Sequence, residues 1–95
     1  MLSEIPYDLG RMSKEQLDRE LVRVGMIAEL DAVSLYEQLA AMTEHPLLRA
    51  VFLDIAKEEK THMGEFQALL LRLDEEQEQE LAAGREEVEE IEGEL

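Results

Sequence analysis

Glu59 and His62 stand three residues apart in the stretch VFLDIAKEEKTHMGEFQALLL. An apolar seam runs through that stretch in steps of three and four: Leu48, Phe52, Ile55, then Phe66, Leu69 and Leu73. Continued through its gap, the seam lands on Glu59 and His62. Positions i and i+3 share one side of a helix, so this carboxylate and this imidazole can reach a single ion. A third polar residue interrupts an apolar stripe upstream. Glu29 lies seven residues after Val22 and seven before Tyr36, a spacing that points it inward. Carboxylates and imidazole without thiolate suit iron, manganese or zinc. Anionic oxygen ligands also stabilise the ferric state, which favours oxidation of ferrous ion by dioxygen or peroxide.

Di-iron carboxylate sites in four-helix bundles take a Glu from each of two helices and a Glu-x-x-His from each of the other two. This chain holds half of that set in Glu29, Glu59 and His62. A two-fold dimer completes it, and its four carboxylates neutralise two divalent cations. Two plainer readings stand beside this one. A Glu-x-x-His in a Glu-rich sequence is commonly solvated, and Glu59 with His62 can form a buried ion pair that sets register. Burying Glu29 and Glu59 around a dyad without a cation would cost several kcal/mol per charge. Tyr36 reads either as an amphipathic core tyrosine or as a hydrogen-bond partner of a ligating carboxylate. Asp31, Glu58 and Glu65 read as outward acids, with a secondary site for hydrated cations as the alternative for Asp31 and Glu58. His45 reads as a cap or a solvent residue, and the five methionines as core filler.

The elements that must position these residues are helices. Ser13-Lys14-Glu15-Gln16 fits a capping box. The helix it opens runs from 14 to 43, about 45 Å, with Gly25 tolerated inside it. Thr43, Glu44 and His45 connect to a second helix that has Pro46 at its first position and ends near Leu73. Asp74-Glu75-Glu76-Gln77 resembles another capping box and opens a short third helix, with Gly84 as its stop. Residues 85–95 read as frayed helix or tail. The division is therefore an N-terminal arm over 1–12, a helical hairpin over 13–73, and a short helix with an acidic tail over 74–95. The first helix carries two apolar stripes. Leu17, Leu21, Val24, Ala28, Leu35, Leu39 and Met42 form one; Val22, Met26, Val33, Tyr36 and Ala40 form the other. A helix apolar on two faces needs more than one neighbour, so an all-α hairpin that self-associates into four helices is expected.

Composition narrows the function classes. Ninety-five residues make one small domain at most. The absence of cysteine excludes disulfides, thiolate metal sites and thiol catalysis within this stretch. The net charge is −15, and it argues against nucleic acid or an anionic membrane as partner. Residues 74–95 hold eleven of the acids and one base, Arg85, as solvated tails usually do. No membrane span or signal peptide is apparent, which places the expected protein in the cytoplasm.

The stretches AELDAVSLYEQLA and DIAKEEKTHMGEF resemble the encapsulated ferritins, the ferritin-like cargo of encapsulin nanocompartments. The resemblance covers residues 14 to about 84, and REEVEEIEGEL after LLLRLD is similar to the branch found in archaea and thermophilic bacteria. It implies a ferroxidase centre on Glu29, Glu59 and His62 with Tyr36 beside it. It also implies a ferritin-like four-helix bundle formed between two chains, two irons per dimer, a ring that is typically a decamer of five dimers, and an encapsulin shell protein as partner. Such a ring passes ferric iron to the lumen of the shell. The sequence departs from the family at three points. Leu35 stands where many relatives have Trp, Ala28 stands where relatives often have an acid, and no cargo-loading peptide is visible before Leu95. The expectation is that the natural chain continues into a targeting segment or shell domain, or that recruitment differs. The leading reading is thus a ferroxidase for iron storage. A rubrerythrin-like di-iron peroxidase and a non-catalytic helical oligomerisation module are the alternatives.

Overall fold

A computed structural model describes residues 9–95 of the chain. Of the expected arm over 1–12, most lies outside the described residues, and Leu9–Arg11 form one 3-10 turn. Three α-helices follow, with no strand among the described residues: α1 over Lys14–Met42, α2 over Pro46–Leu73 and α3 over Glu75–Glu94.

Each helix start follows from a local side chain. Before α1, the Ser13 hydroxyl accepts from the Gln16 N–H at 3.2 Å, and the Ser13 N–H donates to Gln16 Oε1 at 3.0 Å. Two otherwise unpaired donors are satisfied reciprocally. Thr43 ends α1 in extended backbone. His45 caps α2, its Nδ1 accepting from the Leu48 N–H at 3.5 Å, and Pro46 takes the first turn. The last turn of α1 has no basic residue. Arg49 reaches back from α2 and donates to the Thr43 carbonyl at 2.6 Å and the Ala40 carbonyl at 3.3 Å, so a cation meets the negative end of α1. Asp74 alone joins α2 to α3. One of its oxygens accepts from the Gln77 N–H at 3.0 Å, and the other takes Arg23 of α1 at 2.9 Å.

The stop expected at Gly84 is absent, and the expected short helix and the tail after it form one helix: α3 is 20 residues long and runs to Glu94. One glycine inside a helix costs about 1 kcal/mol. The surrounding Ala and Glu residues are strong helix formers, acids occupy the first turn where the dipole favours them, and Arg85 stands four residues before Glu89.

The hairpin closes on small residues. Among the described residues only Ala40, Ala56 and Leu70 are buried. The second stripe of α1, from Val22 to Ala40, is the one that meets α2. On α2 the inward residues are Phe52, Ile55, Ala56, Glu59, Met63, Phe66 and Leu70, so the inner line keeps Phe52, Ile55, Glu59 and Phe66 of the seam and rotates from it toward Ala56, Met63 and Leu70. Leu48, Leu69 and Leu73 of that seam are exposed, and His62 lies at its edge rather than inside. They occupy one side of α2 together with Val51, at helical spacing from His62. On α1 the neighbouring stripe leaves Leu21, Leu35 and Met42 exposed. On the opposite side of the hairpin Gln77 and Leu81, in the first turns of α3, border a groove with Met26, Ile27 and Leu30 of α1 and Met63 and Leu70 of α2, where Leu30 and Leu81 stay exposed.

Candidate metal centre

Midway along the hairpin the inner lines of α1 and α2 turn polar. Glu29 comes from α1, and Glu59 and His62 come from successive turns of α2. His62 Nδ1 stands 3.6 Å from Glu29 Oε2 and 3.5 Å from Glu59 Oε2. One ligand atom from each residue fits within 4.8 Å of the others. The carboxylates are largely covered, at 18% and 21% side-chain exposure, whereas His62 is 46% exposed. The trio therefore opens onto the uncovered side of the hairpin.

This arrangement is a poor hydrogen-bond network. Glu29 Oε2 is buried and has no hydrogen-bond partner. The 3.5 and 3.6 Å contacts exceed normal N–H···O distances. An unsatisfied buried acceptor costs about 1–3 kcal/mol. The same spacing suits two donors of one cation, since ligands at ~2.1 Å from an ion stand ~3–4 Å from each other. The donor set, carboxylate oxygen and imidazole nitrogen, fits iron, manganese or zinc.

The other residues singled out from the sequence fall in different places. Tyr36 is half-buried, its ring 6.3 Å from that of Phe52 and tilted by 32°. No hydrogen bond joins its hydroxyl to the trio among the described residues, so it enters the structure as a packing residue. Asp31 is two residues beyond Glu29, round the far side of α1, and Glu58 and Glu65 are exposed on the open side of α2. None of these three joins the cluster. Lys60 and Glu37 bridge the helices at 3.1 Å on an exposed edge, a pair worth about 0–1 kcal/mol. Sequence reasoning missed the contact between Gly25 and Phe66. A Cβ on Gly25 would stand 2.8 Å from Phe66 Cε1, and the signal was a glycine on the polar trio's own side of α1, one turn before Glu29.

Comparison with known proteins agrees with this architecture. The family profile described as rubrerythrin matches residues 20–93. A ferritin-like–encapsulin shell fusion protein of Pyrococcus furiosus is 54% identical over 96 residues, which cover 98% of this chain. The chain spans 28% of that relative's length. The crystal structure of the encapsulated ferritin domain from Pyrococcus furiosus matches with a TM-score of 0.82 at 46% identity, over 98% of this chain and 89% of the other. Among the described residues no helix is long and apolar enough to cross a membrane. The chain, a helical hairpin with a carboxylate–imidazole cluster and a third helix after it, belongs to the rubrerythrin family, in its encapsulated-ferritin branch.

Proposed function

We propose that this protein is a ferroxidase, acting at a dinuclear site that two chains build together. The observation that carries the reading is the buried, unpartnered Glu29 Oε2 facing His62 and Glu59 at the edge of an uncovered apolar face. Each chain brings two carboxylates and one imidazole. A two-fold axis beside His62 brings a second set, and the exposed Leu48, Val51, Leu69 and Leu73 then pack against their equivalents. The result is a ferritin-like four-helix bundle with Glu29, Glu59 and His62 from both chains around two ions. Neither chain completes the set alone.

Ferrous ion is the substrate in this reading. Two ions each give up one electron, and with two protons that pair reduces dioxygen to hydrogen peroxide. Glu29 and Glu59 supply the anionic oxygens that favour the ferric product. His62 supplies the nitrogen donor and, by its position at the edge, the side of the site that the partner covers. Tyr36 and Phe52 keep the neighbouring layer apolar. Asp31 and Glu58 lie outside the cluster that the single chain forms.

The Pyrococcus furiosus relative is by its description fused to an encapsulin shell. By that likeness we place this chain in an encapsulin nanocompartment; the family resemblance adds to the proposal a ring of five dimers, in the cytoplasm, with ferric iron stored in the shell. The rubrerythrin match favours a second reading, a di-iron peroxidase that consumes peroxide. The lack of cysteine in this stretch leaves no rubredoxin-type centre here to pass electrons. Anaerobic loading with Fe(II), followed by metal analysis and native mass, tests the first reading: two irons per dimer are expected, and iron bound to isolated single chains would overturn it. Rapid oxidation by dioxygen separates the ferroxidase from a protein that responds only to peroxide.

A further inference from the structure

We infer that Gly25 and Phe66 act together as positioning residues for the Glu29–Glu59–His62 layer, by fixing how closely α1 and α2 approach one turn away from it. The inference rests on the reading of that layer as a metal centre and extends it to residues that hold no ion. Gly25 is four residues before Glu29, and Phe66 is four residues after His62. In an antiparallel hairpin these offsets place the two in the same adjacent layer.

The contact between them leaves no room for a methyl group. A Cβ on Gly25 would meet Phe66 Cε1 at 2.8 Å and Cδ1 and Cζ at 2.9 Å each. Carbon atoms prefer about 3.5–4.0 Å. The ring edge itself, rather than one terminal atom, occupies the place, so relief requires the whole ring to swing or the helices to part. Phe66 shares His62's side of α2, so a displaced ring moves toward the face on which His62 opens. A parting of the helices carries Glu29 away from Glu59 and His62. Either response alters the spacing of the three donors. Glycine is otherwise unfavourable inside a 29-residue helix, and this close approach is what requires it. On the far side of the trio, Tyr36 and Phe52 form the corresponding apolar layer, so the polar layer is held between two ring contacts.

Cobalt(II) titration of the full chain, read by visible d–d absorption and by far-ultraviolet circular dichroism, tests the inference. Gly25→Ala should keep its helicity, weaken Co(II) binding by about 10- to 100-fold, as loss of supporting contacts does, and shift the d–d bands. In a Phe66→Leu background the same substitution should leave Co(II) affinity unchanged and raise thermal stability, because alanine is then only a better helix former. Parental affinity and bands in Gly25→Ala, or an equal loss in both backgrounds, would overturn the inference and leave the metal centre standing. Should Gly25→Ala alone fail to fold, a folded, Co(II)-binding Gly25→Ala/Phe66→Leu protein supports the ring contact, and an unfolded one overturns it. A parental chain that binds no Co(II) removes the metal centre and this inference together.

Discussion

The hairpin has two apolar sides, and the chain finishes them differently. One is bordered by the first turns of its third helix, which bury none of their own residues and leave Leu30 and Leu81 exposed. Asp74 ties α3 to Arg23 at 2.9 Å, Leu81 comes down beside Met26, Ile27 and Leu30, and no metal-type cluster is found there among the described residues. The other side keeps Leu21, Leu35, Met42, Leu48, Val51, Leu69 and Leu73 exposed, with His62 opening among them. The side without a bordering helix is the side onto which His62 of the trio opens. Under the proposed function, such a face would gain hydrophobic stabilisation and a full ligand set from one event, the arrival of a second copy. Assembly and metal binding are then thermodynamically linked, because cations that bind only the dimer stabilise it by mass action.

Three sets of substitutions separate the two sides, in descending order of effect. Glu29→Ala, Glu59→Ala or His62→Ala should each slow ferrous oxidation by roughly 100-fold or more, the scale set by losses of merely supporting groups. Circular dichroism should stay parental, and stopped-flow absorbance of ferric iron is the measurement; parental rates in all three variants would remove the trio from the chemistry. Next, Leu69→Glu places a charge at the centre of the open side. Leu69 is already 49% exposed in the single chain, so the hairpin loses little. The dimer must bury the charge at a cost of several kcal/mol. Native mass should fall to the single-chain 10.9 kDa, and oxidation should fall with it although every ligand is intact. A dimeric, active Leu69→Glu protein would place the partner elsewhere. The smallest effect belongs to the side that α3 borders. Asp74→Ala removes a helix cap worth about 1 kcal/mol together with the Arg23 bridge. The melting temperature should fall by roughly 4–8 °C with ferrous oxidation little changed, and a loss of oxidation would mean that α3 also supports the site.

Much of this was legible beforehand because it depends on local chemistry. Ser13 with Gln16, His45 with Pro46, and Asp74 before Gln77 mark helix starts through bonds that span three residues, which a sequence displays directly. The trio was legible for a related reason: a polar residue at an apolar beat is visible from spacing alone. The end of α3 was not legible, since the cost of one glycine competes with the propensity of its neighbours and neither wins by inspection. Periodicity also cannot fix the angle at which two helices meet. It read Leu48, Leu69 and Leu73 as inner residues, and the structure turns them outward.

What the amino-acid sequence by itself determined is the set of helices, their caps and the identity of Glu29, Glu59 and His62 as polar residues on apolar lines, because each of these follows from contacts within a few turns of one helix. Tertiary structure alone decided which stripe of α1 meets α2, that the Phe66 ring fills the space above Gly25, that Glu29 Oε2 is left without a partner, and onto which side of the hairpin His62 opens. Those outcomes depend on the rotation and separation of two packed helices, and these are set by the fit of side chains from both at once.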